Sequence, residues 1–263
     1  YGSYDELIAD ADVEAIYNPL PNHLHVPWSV RAAESRKHVL CEKPISLTAT
    51  EAEQLVEVRN RTGVQIAEAF MVRTHPQWLK VREIVRSGEI GDVRIINGHF
   101  SYFRRDPHDV RSNPDWGGGA LMDIGCYPIT MSRWLFNEEP TEVVAQLEFD
   151  PDLHVDRVGS ALLRFPSGQA TVTFGGQVAL NQRMQIYGTK GNITVNVPFN
   201  PPADRVSTIV VDDSRDLVGG GARTISFAPI NQYAEQGQRF SEAVRGTNSV
   251  AVSLEDSVNN MRV

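Results

Sequence analysis

The sequence predicts an α/β protein in two parts: a parallel sheet with helices over residues 1–72, then an α/β region with a large, mostly antiparallel open sheet over residues 73–263. Three observations carry this. Up to residue 72, short apolar runs alternate with amphipathic helical stretches, which is the signature of βαβ units. After His75 the period changes, and extended segments separated by turn residues dominate. Two helical stretches then close the chain.

Taken in order, residues 5–11 read as a short helix, 14–17 as a strand ending at Asn18-Pro19, and 26–33 as a helix. Residues 37–41 form an apolar strand stopped by Pro44, 48–62 an amphipathic helix, and 64–67 a further strand. Thr48 suits the N-cap of its helix, with Glu51 three positions on to complete a capping box. A helix over 76–87 leads through Gly88 and Gly91 to a long alternating strand at 93–103. A Gly-rich turn precedes a helix near 120–135. Extended segments follow at 141–149, 157–165, 169–174, 184–187, 192–197, 208–211 and 224–227, and helices at 231–245 and 254–263 finish the chain. The turns PSG (166–168) and GTKG (188–191) join neighbouring strands as hairpins, hence the antiparallel sheet. Apolar residues on both faces of 160–165 and 169–174 predict that the open face associates, giving a homodimer or homotetramer.

Composition narrows the function. With 263 residues, 41% hydrophobic and 22% charged, the chain is long enough for a sizeable core. A net charge of -8 argues against nucleic acid and anionic membranes as partners, because both are bound through clustered Lys and Arg. No apolar run reaches the roughly 20 residues that span a bilayer. Cys41 and Cys126 sit in apolar settings (HVLCEK, DIGCYP), where free buried thiols in a reducing, cytoplasmic compartment are expected. HExxH, paired CxxC and GxSxG are all absent, which disfavours zinc and serine hydrolase chemistry. His23 and His25 are two apart and diverge if extended, so no metal site is expected there.

Three segments carry more information: YNPLPNHLH (17–25), HVLCEKP (38–44) and GGGALMDIGCY (117–127). Together with EAFMVRTHPQ (68–77) and SLEDSVNNMRV (253–263), they resemble the glucose-fructose oxidoreductase and inositol dehydrogenase family, Gfo/Idh/MocA. The resemblance implies a Rossmann domain followed by the open-sheet domain, and hydride transfer between NAD or NADP and a sugar, cyclic polyol or dihydrodiol. One feature departs from the family pattern: the opening strand, G-x-G-x-x-G turn and ribose-reading residue are not in this chain, so it is expected to be a truncated member lacking the first βαβ unit. The chain as written is accordingly expected to lack the phosphate cradle and to be inactive alone.

By the same resemblance, Leu20, Pro21, Asn22 and His25 line the nicotinamide side of the cofactor together with Glu42, Lys43 and Pro44, on loops that follow parallel strands. Asn22 and its proline also make sense as a plain turn and helix start. Lys43, Asp123 and Tyr127 correspond to the family's catalytic positions, and the Lys43-Pro44 bond is expected to be cis. Many relatives carry His where this chain has Tyr127. Asp123 and Tyr127 lie four apart on a predicted helix, hence on one face of an otherwise apolar stretch. A buried Tyr with one hydrogen bond and an Asp near a helix start is the plainer alternative. Arg73, Arg111 and Trp116, with Arg104 and Arg105, are placed to approach a carbohydrate-like substrate; each arginine equally suits an ion pair. A non-catalytic, dinucleotide-binding regulator of the same family is the rival reading, and an intact Lys43, Asp123 and Tyr127 set favours the enzyme.

Overall fold

A computed structural model describes residues 1–263, which divide into two compact units. The first comprises residues 1–73, 115–117 and 233–262; the second comprises 74–114, 118–232 and 263.

In the first unit, β1 (Ala15–Asn18), β2 (His38–Glu42) and β3 (Ile66–Ala69) form a parallel sheet in that order. Both faces are covered, as the near-continuous apolar strands require. Val39, Cys41 and Ile66 point into a core shared with α2 (His25–Glu34), α3 (Ala49–Thr62) and α7 (Leu254–Arg262). The alternate positions Leu40, Ala67 and Ala69 pack on Phe240 of α6 (Gln232–Val244). A short α1 (Tyr4–Ala9) is capped by Ser3, whose hydroxyl accepts the Glu6 amide. Thr48 caps α3 by accepting the Glu51 amide at 3.2 Å. Glu51 reaches back one residue further than a standard capping box, to the Leu47 amide at 2.8 Å. The helix ends at Gly63, whose φ of 74° is the left-handed C-cap geometry that glycine adopts without strain.

The closing helices depart from expectation. Residues 73–263 were expected as one domain, yet α6 and α7 pack on the parallel sheet. The physical reason is burial: Leu254 (0% exposed) and Val258 (6%) complete the core of α2 and α3, which those helices leave open.

The second unit holds α4 (Pro76–Ser87), α5 (Cys126–Phe136) and eight strands. These are β4 (Val93–Phe103), β5 (Glu142–Phe149), β6 (Asp156–Arg164), β7 (Gln169–Gly175), β8 (Gln177–Gly188), β9 (Asn192–Val195), β10 (Ser207–Asp212) and β11 (Ala222–Phe227). Their order is β11-β10-β9-β8-β4-β7-β6-β5. All neighbours are antiparallel except β4 and β7, which run parallel. PSG and GTKG close the β6–β7 and β8–β9 hairpins. β8 is 12 residues long rather than the four expected at 184–187, because its first half pairs along β4 without a buried apolar pattern.

α5 lies on one face of this sheet. Ile96 and Phe100 of β4, Val172 and Phe174 of β7, and Met184 and Ile186 of β8 are buried on that side. Gly98 permits the approach, since a Cβ there would stand 2.5 Å from that of Pro128 on α5. The other face is polar at its centre. Thr171 donates to Asn97 Oδ1 at 2.6 Å, and His99 bridges Thr173 (2.7 Å) and Ser101 (2.9 Å). Its exposed apolar residues include Ile95, Leu162 and Val144, the last two paired across β5 and β6. On β7, Gln169, Thr171 and Thr173 face outward, so the second apolar face expected at 169–174 is absent from that strand.

His75 caps α4 and titrates against folding. It is buried, and its Nδ1 accepts the Gln77 amide at 3.1 Å, a bond only the unprotonated nitrogen makes. Burial lowers its pKa from 6.5 to about 4. The unfolded chain therefore takes up a proton that the folded chain refuses, and His75 costs stability as pH falls from 6.5 to about 4. Denaturant melts across that range should show this loss, and His75→Asn, which keeps a capping acceptor, should flatten it. An unchanged slope in the variant would contradict the assignment.

Candidate active site

On the first unit, two loops leave the carboxyl ends of β1 and β2, where open α/β sheets bind ligands. Asn18, buried at the end of β1, donates to the His25 carbonyl (3.0 Å) and Ser29 Oγ (3.1 Å), and its Oδ1 receives the Leu20 amide (3.3 Å). The chain then turns through Pro21 into a 3-10 turn at Asn22–Leu24 that runs on into α2. Asn22 Nδ2 donates to the Gly117 carbonyl at 2.8 Å. His23 stacks on Trp116 with ring centroids 5.4 Å apart. Trp116, expected on the substrate side, thus stands beside the Asn22 loop.

His25 is 1% exposed and fastens the two loops to each other. Its Nδ1 lies 2.7 Å from the Pro44 carbonyl oxygen and its Nε2 lies 2.6 Å from that of Leu20. A neutral imidazole has one N–H to donate, so two carbonyl partners favour the doubly protonated ring. Burial opposes this and lowers the pKa. Each ring nitrogen stands against a backbone oxygen; the neutral ring donates to one of them and the protonated ring to both, so His25 braces the loop backbone.

Lys43 directly follows β2, and the Lys43-Pro44 bond is cis. Glu42 is held from two sides: its carboxylate accepts the Tyr17 hydroxyl and, at 3.2 Å, the Lys43 amide. Burial and the Glu42 carboxylate raise the Tyr17 pKa, so its hydroxyl stays protonated and donating. The Ile45 amide donates to the buried Glu68 of β3 at 2.9 Å. Tyr17, Glu68 and Tyr233, whose pKa is raised by burial and then by Glu42, were not singled out from the sequence. Tyr17 and Glu68 on strands and Tyr233 on α6 each read as ordinary members of their elements.

The second unit presents Asp123 and Tyr127. Residues 120–135 read as one helix in the sequence, but Leu121–Gly125 form a π-helical turn that precedes α5. The Cys126 amide bonds the Leu121 carbonyl, the i→i−5 link that defines such a turn, and π-turns of this kind gather at functional sites. Asp156 starts the turn. Its buried carboxylate accepts the amides of Leu121 (2.7 Å) and Ala120, and burial still raises its pKa. Gly119 permits this with a φ of 111°, and any Cβ there would collide with the Asp156 carboxylate.

Tyr127 is 4% exposed and packs against Phe100 (centroids 5.7 Å apart) and Phe199 (5.4 Å). Asp123 accepts the hydroxyl of Tyr102 from β4, and Arg111 Nε stands 3.1 Å from the same oxygen. The remaining arginines are paired as well. Arg73 bonds Asp256 at 2.8 Å, Arg104 bonds Asp109 at 2.5 Å, and Arg105 bonds Asp150 at 2.8 Å and also Asp152. Arg73 is 9% exposed, so its pair is an internal tie between the end of β3 and α7.

Family models match both parts of the chain: "Oxidoreductase family, NAD-binding Rossmann fold" over residues 1–70 and "GFO/IDH/MocA C-terminal domain" over residues 78–194. An uncharacterized oxidoreductase of Rhizobium meliloti is 47% identical across 100% of this chain and 79% of its own length. This chain belongs to the GFO/IDH/MocA oxidoreductase family. A D-xylose 1-dehydrogenase (NADP(+)) of Haloferax volcanii is 36% identical over 100% of the chain and 79% of the relative. Among solved structures, a 3-ketoreductase from Actinomadura kijaniata in complex with NADP and TDP-benzene superimposes with a TM-score of 0.88 at 32% identity, covering 98% of this chain and 78% of that one. An aldose-aldose oxidoreductase from Caulobacter crescentus gives a TM-score of 0.89 at 28% identity, over 100% and 78%. The chain is thus an NAD(P)-dependent oxidoreductase acting on CH–OH or keto groups of sugars or related diols.

Proposed function

We propose that Lys43, Asp123 and Tyr127 carry the proton side of reversible hydride transfer between NAD(P) and a sugar, cyclic polyol or dihydrodiol. The observation that carries this is the π-turn and the helix it leads into: the turn presents a carboxylate held by Tyr102 and Arg111, and the first turn of α5 presents a phenol held by an aromatic nest. The loop backbones at Leu20–Asn22 and Glu42–Pro44, fixed by His25, fit a dinucleotide at the strand ends. When bound, NAD(P) supplies or accepts the hydride.

The chain's own groups manage the rest. Tyr127 gives its phenolic proton to the carbonyl oxygen in reduction and takes it back in oxidation. The Lys43 ammonium donates a charged hydrogen bond to the oxygen that gains negative charge. Asp123 accepts a hydroxyl of the substrate and orients it. Leu20, Pro21, Asn22, Glu42 and Pro44 line the cofactor. The same reading takes the protein as a homodimer or homotetramer associated through the open face around Ile95, Val144 and Leu162. Light scattering at tens of micromolar should give twice or four times the monomer mass; a stable monomer removes this part.

For the full-length enzyme, the catalytic assignment predicts that Lys43→Met and Tyr127→Phe each lower kcat by about 10²–10⁴-fold, the usual worth of a positioned proton donor. Both should leave dinucleotide affinity near wild type, because the lost interactions belong to the transition state. Tyr127→Phe keeps the ring among Phe100 and Phe199, so folding survives. The measurement is kcat across aldoses, inositols and dihydrodiols, beside dinucleotide titration of each variant. Wild-type kcat in both variants would refute the assignment and favour a regulatory protein.

A further inference from the structure

The surroundings of Asp123 specify its state. Its carboxylate is 15% exposed, and Oδ2 takes both the Tyr102 hydroxyl and the Arg111 guanidinium. Burial, then the Asp123 charge, raise the pKa of Tyr102, which keeps this phenol a donor. Arg111 is itself tied down at main chain and side chain. Its carbonyl accepts the Gly119 amide at 2.9 Å, and its own amide bonds Asp109 Oδ1 at 2.8 Å. Its Nη1 stands 3.3 Å from the same Asp109 oxygen, while Asp109 Oδ2 holds Arg104. Ionisable groups therefore alternate along the line Arg104, Asp109, Arg111, Asp123 and Tyr102, with Tyr127 one turn further along the helix.

The guanidinium is engaged by two carboxylates, Asp123 at Nε and Asp109 at Nη1, which commits it to internal pairs. A cation and a neutral donor sharing one carboxylate oxygen both favour the ionised form. Resting on the oxidoreductase reading above, we propose that Tyr102 and Arg111 are positioning residues that hold Asp123 ionised and turned as a hydrogen-bond acceptor. Proton donation then belongs to Tyr127, and Asp123 is reserved for recognising a substrate hydroxyl. Arg111 serves the substrate only through Asp123.

The test follows the Asp123 carboxyl carbon by NMR during pH titration of the full chain, with Asp123→Asn to assign the signal. Tyr102→Phe and Arg111→Gln should each move its titration upward by about one unit or more, the effect of removing an adjacent cation or donor. The acidic limb of kcat/KM should move up with it, dinucleotide affinity should stay within about twofold, and Arg111→Lys should restore part of the shift. Tyr102→Phe keeps the ring in β4, so at least one variant folds. A purely structural role would scale activity without moving either titration. An Asp123 signal that titrates at the same pH in all variants overturns the proposal. If Asp123→Asn keeps wild-type turnover, the catalytic reading fails on its own; if it is inactive while the titrations do not move, only this inference fails.

Discussion

A buried carboxylate at the start of a helix sets the terms for the second unit. Asp156 reaches from β6 to take the first amides of the π-turn, which no intrahelical carbonyl can satisfy. Burial works against an ionised Asp156, and the amide bonds offset part of that cost. Gly119 is required because the carboxylate occupies the space a side chain would need. The turn fixed in this way decides where Asp123 and Tyr127 point. Pro128 then seats α5 on the sheet over Gly98.

The first unit solves a related problem with backbone carbonyls. Two loops at the ends of adjacent parallel strands would move independently if each were held only by its own strand. His25 joins them, one ring nitrogen to each. Asn18 and Asn22 hold the first loop, and Glu68 with His25 holds the segment that carries Lys43, at the Ile45 amide and the Pro44 carbonyl. Side chains that bond backbone give a loop a defined shape without burying it, which a ligand-facing rim requires.

Much of this was legible from the residues. The parallel sheet followed from short buried strands between helices, and the two hairpins from their glycine turns. The catalytic candidates came from a resemblance rather than from spacing, since Lys43 and Tyr127 have no local signature of chemistry. What stayed hidden was non-local. LMDIG has nothing to distinguish a π-turn from an α-turn, because the turn is set by Asp156, 35 residues away in sequence. The first half of β8 went unread because it is largely exposed: Val178 and Leu180 alternate but neither enters the core, and the rest is polar or small. Nothing in the periodicity of 254–263 says which sheet the helix covers. Tyr102 did leave a trace: it continues the inward series Ile96, Gly98, Phe100, and a polar tip ending such a series signals a partner across the helix.

The central claim is direct hydride transfer between a dinucleotide and a carbon of a sugar or diol, with Tyr127 and Lys43 handling the proton. Incubation of the protein with NADPH or NADH deuterated at the transferring position, and a panel of keto-sugars, tests it in one mass-spectrometric measurement. The account predicts a product one mass unit heavier, with deuterium on the carbon that bears the new hydroxyl, formed at least about a hundredfold more slowly by the Tyr127→Phe protein. A reduced product without deuterium, or equal incorporation by the Tyr127→Phe protein, would contradict it.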